Sequence, residues 1–147
     1  MTLTEKQDYV FYESGLLINS KQPLKNADVC TVSTKDYVFF VPKKTTGMFV
    51  VLKTIKTHQF FDGVSIEQGV RALIDKAETV QDLESSLTAL LEDDEIYVHK
   101  IAEKTSFKFK GFLGKQTLMM RESMKKYSSV SPNGKGNGKE FKAFHGQ

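Results

Sequence analysis

The sequence predicts a single α+β domain in which an antiparallel, meander-like sheet is accompanied by two adjacent mid-chain helices. A length of 147 residues suits one domain and is short for two. The first 61 positions are rich in β-branched and aromatic residues broken by turn residues, which is typical of short strands. Between positions 65 and 91, apolar residues recur at helical spacing instead. Eleven Phe and five Tyr favour a core with substantial sheet.

Four short strands are predicted near the N-terminus, at 8–12, 15–18, 29–33 and 37–41. Residues 34–36 have the length of a hairpin link, and the polar segment 20–28 is predicted to be a loop. Pro42 is expected to end the fourth strand. A longer strand is predicted over 48–61, with a bulge or bend near Lys53–Thr54, where the alternation of apolar residues changes phase.

Two helices are predicted next, each from a start signal and an apolar stripe. Ser65 and Gln68 form a capping-box pattern, in which the hydroxyl accepts from an orphan amide and the Gln side chain reaches back. Thr79 is the N-cap candidate of the second helix, and Asp82 suits its positive end. The first stripe consists of Ile66, Val70, Leu73, Ile74 and Ala77. The second stripe consists of Val80, Leu83, Leu87, Leu90 and Leu91.

The order of an early β-meander followed by helix resembles the topology of a PH-type barrel. The resemblance is one of element order alone. The pair of mid-chain helices departs from the single closing helix of that family.

Four consecutive acids, 92–95, follow the second helix. Carboxylates there oppose the negative pole of the helix dipole, so we expect the run to end the helix and to lie in water. A divalent-cation site is the alternative, but the run lacks the spaced ligands and the glycine of a calcium loop. The acids can also meet the chain's own basic segment or a neighbouring copy.

The C-terminal part is predicted less uniformly. Strands are expected at 95–102 and 105–110. Residues 115–127 favour a basic helix, because they are good helix formers with an apolar stripe; a weakly alternating strand is the alternative. Residues 128–147 are predicted as a tail or a late hairpin, so the domain is predicted to span 1–127.

Charge is divided unevenly along the chain. Residues 1–103 carry 11 Lys or Arg against 16 Asp or Glu, whereas residues 104–147 carry 10 against 2. A basic segment on an acidic body favours contact with an anionic partner. Within it, Phe107 and Phe109 should point to one side of a strand and Lys108 and Lys110 to the other.

No catalytic, metal-binding or cofactor-binding signature stands out, so we expect a non-enzyme without a cofactor or metal. Cys30 is the single cysteine, which excludes an intrachain disulfide and predicts a small buried thiol. The histidines His58, His99 and His145 are scattered and lack metal-ligand spacing. Residues 1–8 lack the apolar stretch of a signal peptide, and the longest apolar runs are too short to span a bilayer. The expectation is a soluble, cytoplasmic protein.

The leading functional hypothesis is a non-catalytic binding module that contacts an anionic partner, most simply a nucleic-acid backbone. Only one Arg lies among the ten C-terminal cations, so binding should be largely independent of sequence. Interleaved aromatic residues would be available for base stacking. The expected phosphate contacts are Lys108, Lys110, Lys115, Arg121, Lys125 and Lys126.

Two alternatives use the same segment. A peripheral-membrane module would place it on anionic lipid head groups. An assembly protein would bring the acidic body of one copy against the basic segment of the next, giving a homo-oligomer.

Overall fold

The computed structural model describes residues 2–19, 27–45, 64–112, 114–123, 126–133 and 138–147. Within these ranges the chain forms one antiparallel sheet of eight strands, which together with three α-helices confirms the predicted α+β class. The strands are β1 Val10–Tyr12, β2 Ser14–Asn19, β3 Ala27–Ser33, β4 Tyr37–Thr45, β5 Val98–Lys100, β6 Ser106–Phe112, β7 Lys115–Arg121 and β8 Tyr127–Asn133. The helices are α1 Ile66–Lys76, α2 Val80–Leu90 and α3 Lys139–Phe144, and a 3₁₀ turn covers Ile101–Glu103.

The strands follow the order β5-β4-β3-β2-β8-β7-β6, with β1 also paired to β3. β1 and β2 pair in succession with β3, and β2 pairs on its other side with β8 along its whole length. Among the described residues, β5 and β6 each pair on one side only, so the sheet is open. The analogy with a PH-type topology therefore does not extend to a closed barrel.

The N-terminal half of the sheet is covered on both faces, which explains why residues 29–33 of β3 are all buried. On one side the Arg71 guanidinium of α1 lies 4.6 Å from the centre of the Phe11 ring. On the other side the Phe141 amide of α3 donates to the Tyr12 hydroxyl at 3.1 Å. The core thus contains the β1, β3 and β4 side chains between two layers of helix.

Both predicted helix starts are confirmed as capping boxes. The Gln68 amide donates to Ser65 Oγ at 3.1 Å, and the Ser65 amide donates to Gln68 Oε1 at 3.1 Å. Thr79 and Asp82 make the same reciprocal pair at 3.1 and 3.2 Å. The acidic run ends α2 as expected, and Glu92, at its start, adopts a left-handed φ of 58°.

The predicted basic helix over 115–127 is wrong. Residues 115–121 form β7 between β6 and β8, with Leu118 and Met120 buried and Met119 facing out. Pairing on both sides outweighs the helix propensity of Lys, Gln, Leu and Met. Of the segment predicted as a tail or late hairpin, residues 128–133 belong to β8 inside the sheet and residues 139–144 form α3.

Pro42 does not end β4, which runs on to Thr45. Pro42 is paired with Val29, next to the register shift between Asp28 and Val29. Proline is tolerated at such irregular positions because a ladder hydrogen bond is already interrupted there. The predicted strand over 48–61 lies outside the described residues, as does most of the predicted loop over 20–28.

Candidate functional site

The four strands β2, β8, β7 and β6 present one face that no helix of the described chain covers. Cross-strand partners place Ile18, Ser129, Met119 and Lys108 in one row across this face. A second row consists of Leu16, Ser131, Thr117 and Lys110, in which the Thr117 and Ser131 hydroxyls lie 2.9 Å apart. We call this surface the open face and define it by these two rows together with Lys115, Arg121 and Tyr127.

The opposite face of the same strands is buried, which fixes the orientation of the open face. Leu17, Val130 and Leu118 are all completely buried on adjacent strands. Phe107 and Phe109 continue this layer on β6 and pack against His145, with ring centres 4.9 and 6.4 Å away. The predicted alternation of Phe and Lys along β6 is therefore confirmed.

The open face brings four of the six predicted phosphate contacts together. Lys108 and Lys110 lie two residues apart on β6, or about 6.6 Å along the strand. Both side chains are exposed, as is Lys115 at the start of β7, and none of the three forms an ion pair within the described ranges. Arg121 lies at the end of β7, with its guanidinium 5.1 Å from the centre of the Tyr127 ring.

The open face also carries exposed aliphatic side chains on β2, three strands away from the cations of β6. Leu16 is 44% exposed and Ile18 is 40% exposed, although both belong to a strand in the middle of the sheet. The open face thus has apolar side chains at its β2 side and cations at its β7 and β6 side.

The structure uses Lys126 elsewhere. Its ammonium lies 2.8 Å from Glu122 and 3.1 Å from Glu95, and these hydrogen bonds raise the pKa of Lys126. One acid of the 92–95 run thus meets the basic segment within the same chain. Lys125 lies outside the described residues.

Most aromatic residues of the basic segment are unavailable for base stacking. Phe141 and Phe144 are buried on α3, and Phe107 and Phe109 face the same interior. Tyr127 belongs to the open face but is already in contact with Arg121. The sequence could not show this, because the helix that covers the two β6 phenylalanines was not predicted.

A polar cluster behind the open face was missed by the sequence reasoning. The Lys104 ammonium is 2.6 Å from Glu122, and His99 donates through Nε2 to the carbonyl of Ile96 at 2.9 Å. Together with Ser128 these groups line a cavity of about 20 Å³, close to the size of one water molecule. Its members come from distant parts of the chain, so no spacing in the sequence could reveal it.

The cluster has strongly perturbed ionisation. Burial, reinforced by the Lys104 charge, lowers the pKa of His99 to about 4. Burial alone would raise the pKa of Glu122, but hydrogen bonds from Lys104 and Lys126 lower it to about 2. At neutral pH the cluster therefore holds a neutral imidazole beside balanced ion pairs, an arrangement suited to stability.

Other chemically capable groups are sealed from substrate. Ser33 Oγ lies 2.8 Å from His145 Nε2, a nucleophile–base distance, but Ser33 is completely buried. Cys30 is also completely buried, and burial raises the pKa of its thiol to about 12, which disfavours the reactive thiolate form. In the described ranges no group of His, Cys, Asp or Glu side chains has the arrangement of a metal site.

The helices of the described residues are all too short or too polar to cross a membrane. Comparison of the chain with protein-family models, with curated proteins and with solved structures finds no match.

Proposed function

We propose that this protein is a non-catalytic binding module that holds an anionic partner, in the first instance a nucleic-acid backbone, on its open face. The observation that carries the proposal is the convergence of Lys108, Lys110, Lys115 and Arg121 on one exposed surface. The strands β6, β7 and β8 contain no Asp or Glu in their sequence. Cations clustered on one face attract polyanions through the release of condensed counterions.

The chemistry of the face favours binding that is independent of base sequence. Lys is a flexible point charge, whereas the bidentate reading of guanine relies on Arg, and the single Arg121 is engaged with Tyr127. Since Phe107, Phe109, Phe141 and Phe144 face the interior, these four rings can contribute little to base stacking. Binding should therefore rest on phosphate contacts and depend steeply on salt.

The test is fluorescence anisotropy of labelled single-stranded and duplex DNA, titrated from about 50 to 200 mM salt. Four phosphate contacts predict a log–log slope of about −3.6 for duplex and about −2.8 for single strands. The variant Lys108→Gln/Lys110→Gln should lower each slope by about half.

The matched control is Lys76→Gln/Lys139→Gln, which removes two charges from exposed positions on α1 and α3, away from the open face. It should change the slope far less than the β6 variant. Equal effects of the two variants, or no binding at the lowest salt, would contradict the proposal that the open face binds nucleic acid.

A second candidate is an anionic membrane surface, favoured by the exposed Leu16 and Ile18 on the same face as the cations. Sedimentation with phosphatidylserine-containing vesicles, but not with neutral ones, would support it. Leu16→Ser/Ile18→Ser should then abolish sedimentation while leaving the binding of DNA unchanged. The same double variant discriminates between the two candidates because phosphate contacts do not need the aliphatic strip.

A further inference from the structure

Within the part of the chain that the structure describes, β6 is the last strand of the sheet, and its outer edge carries backbone groups directed away from β7. Among the described residues β6 pairs only with β7. The carbonyl of Phe107 and the amide of Phe109 point outward, because both bond to the side chain of Gln147. Backbone groups alternate in direction along a strand, so those of Gly111 point the same way.

Gln147 occupies this edge in the manner of a strand residue. Its Nε2 donates to the Phe107 carbonyl at 2.9 Å, and its Oε1 accepts from the Phe109 amide at 3.4 Å. A carbonyl and the amide two residues later are the pair that one backbone residue of an adjacent parallel strand would satisfy. The carboxamide therefore reproduces one residue of a missing neighbour.

The rest of the C-terminal segment is held independently of this contact. His145 lies 2.8 Å from Ser33 Oγ, and the Lys35 ammonium donates to the carbonyl of Phe144 and lies over its ring. Gln147 itself is exposed. Its side chain can leave the edge without displacing α3.

We propose that the outer edge of β6 binds an extended peptide segment with acidic side chains at alternate positions, which adds a strand to the sheet and displaces Gln147. The acidic preference follows from Lys108 and Lys110, whose exposed side chains would lie about 5 Å from the outward side chains of an added strand. The intervening side chains would face the layer of Phe107 and Phe109, which suits apolar residues. Main-chain bonds supply affinity in this mode of recognition, and alternate side chains supply specificity.

The probe is a short fluorescein-labelled peptide of alternating Glu and Val, compared with one of alternating Lys and Val. Anisotropy should show binding of the acidic peptide only. Amide hydrogen exchange at Phe109 and Gly111 should slow in the complex, because these amides would donate to the added strand. Exchange that stays unchanged at both amides would overturn the proposal even if the peptide binds.

Three variants separate the edge from the open face. Gln147→Ala removes the internal competitor and should raise peptide affinity about two- to tenfold, the range of one net hydrogen bond. Gly111→Pro removes an outward amide without loss of a bond to β7 and should weaken binding at least about tenfold. The control Gln81→Ala, at an exposed position of α2, should change nothing.

The remaining outcomes are equally decisive. Gln147→Ala does not threaten the fold, so lower or unchanged peptide affinity in that variant would overturn the proposal. A Gln147→Ala protein that dimerises without peptide would identify a second copy, and not an acidic peptide, as the occupant. Neither variant should alter DNA affinity, so failure here is distinct from failure of the open face as a phosphate site.

Discussion

Lys104 donates to Glu122 at 2.6 Å with an ammonium-bearing side chain that is only 4% exposed to solvent. Glu122 and Lys104 are 18 residues apart in sequence, and the pair joins the start of β6 to the end of β7. Lys126 extends the pair to Glu95, which precedes β5. The network thus ties the acidic run after α2 to the strands that carry the open face.

Replacement of Glu122 by Gln should destabilise the protein, because the buried Lys104 charge loses its partner. Removal of one partner from a fully buried pair costs about 3–5 kcal/mol. Glu122 is 30% exposed, so we expect a loss of about 2 kcal/mol in the free energy of unfolding, measured by urea denaturation. Glu103→Gln is the control, because its pair with Lys100 is exposed and should contribute less than about 1 kcal/mol.

Stability should fall on acidification in two steps. His99 and His145 both have a pKa lowered to about 4, in each case mainly by burial, so the unfolded chain binds more protons below about pH 6.5. The free energy of unfolding should therefore decrease from about pH 6.5 to about pH 4. Glu122, with a pKa of about 2, adds a further decrease below about pH 4.5.

Denaturation at several pH values checks both steps. The variant His99→Gln/His145→Gln should flatten the upper step, whatever its stability at neutral pH. Glu122→Gln should flatten only the lower one. A profile without slope between pH 6.5 and 4 in the parent protein would contradict the burial of the two imidazoles.

Adjacent residues of β7 should respond differently to truncation. Leu118 is completely buried, so Leu118→Ala should cost about 2–5 kcal/mol. Met119 faces outward on the same strand, so Met119→Ala should cost less than about 1 kcal/mol. Similar losses at the two positions would argue against the strand.

Alanine substitutions at two glycines with similar backbone conformations should distinguish the cost of backbone strain from the cost of steric crowding. Gly114 and Gly138 have φ values of 81° and 87°, so alanine at either should cost about 1–2 kcal/mol. A Cβ at Gly138 would also lie 2.9 Å from the carbonyl oxygen of Gln116, whereas one at Gly114 meets nothing within 4 Å. Gly138→Ala should therefore lower the thermal midpoint clearly more than Gly114→Ala, and the difference measures how closely α3 begins against β7.

The helices α1 and α2 were predictable because their signals are local. The capping partners of Ser65 and Thr79 each lie three residues later in the chain, so the sequence pattern alone indicates them. β7 was not predictable in this way, since its own residues favour helix and its strand form depends on β6 and β8.

The open face was predictable only in part. The alternation around Lys108 and Lys110 is a local pattern, and the structure confirms which way these residues point. The contact between Lys126 and Glu95 joins residues 31 apart, and burial of Phe109 depends on a short helix that only tertiary contacts specify. Long-range partners of this kind leave no spacing to recognise.

The position of β8 between β2 and β7 also governs how the chain can fold. Asn19 and Ser128 are partners although they are 109 residues apart, so this pairing carries a large loop-closure cost and should form slowly. During synthesis, β2 emerges early, and its edge has no β8 partner until residues 127–133 leave the ribosome. In that interval Leu16, Leu17 and Ile18 lie on an unpaired apolar strand edge, so we expect the nascent chain to be most prone to aggregation at β2.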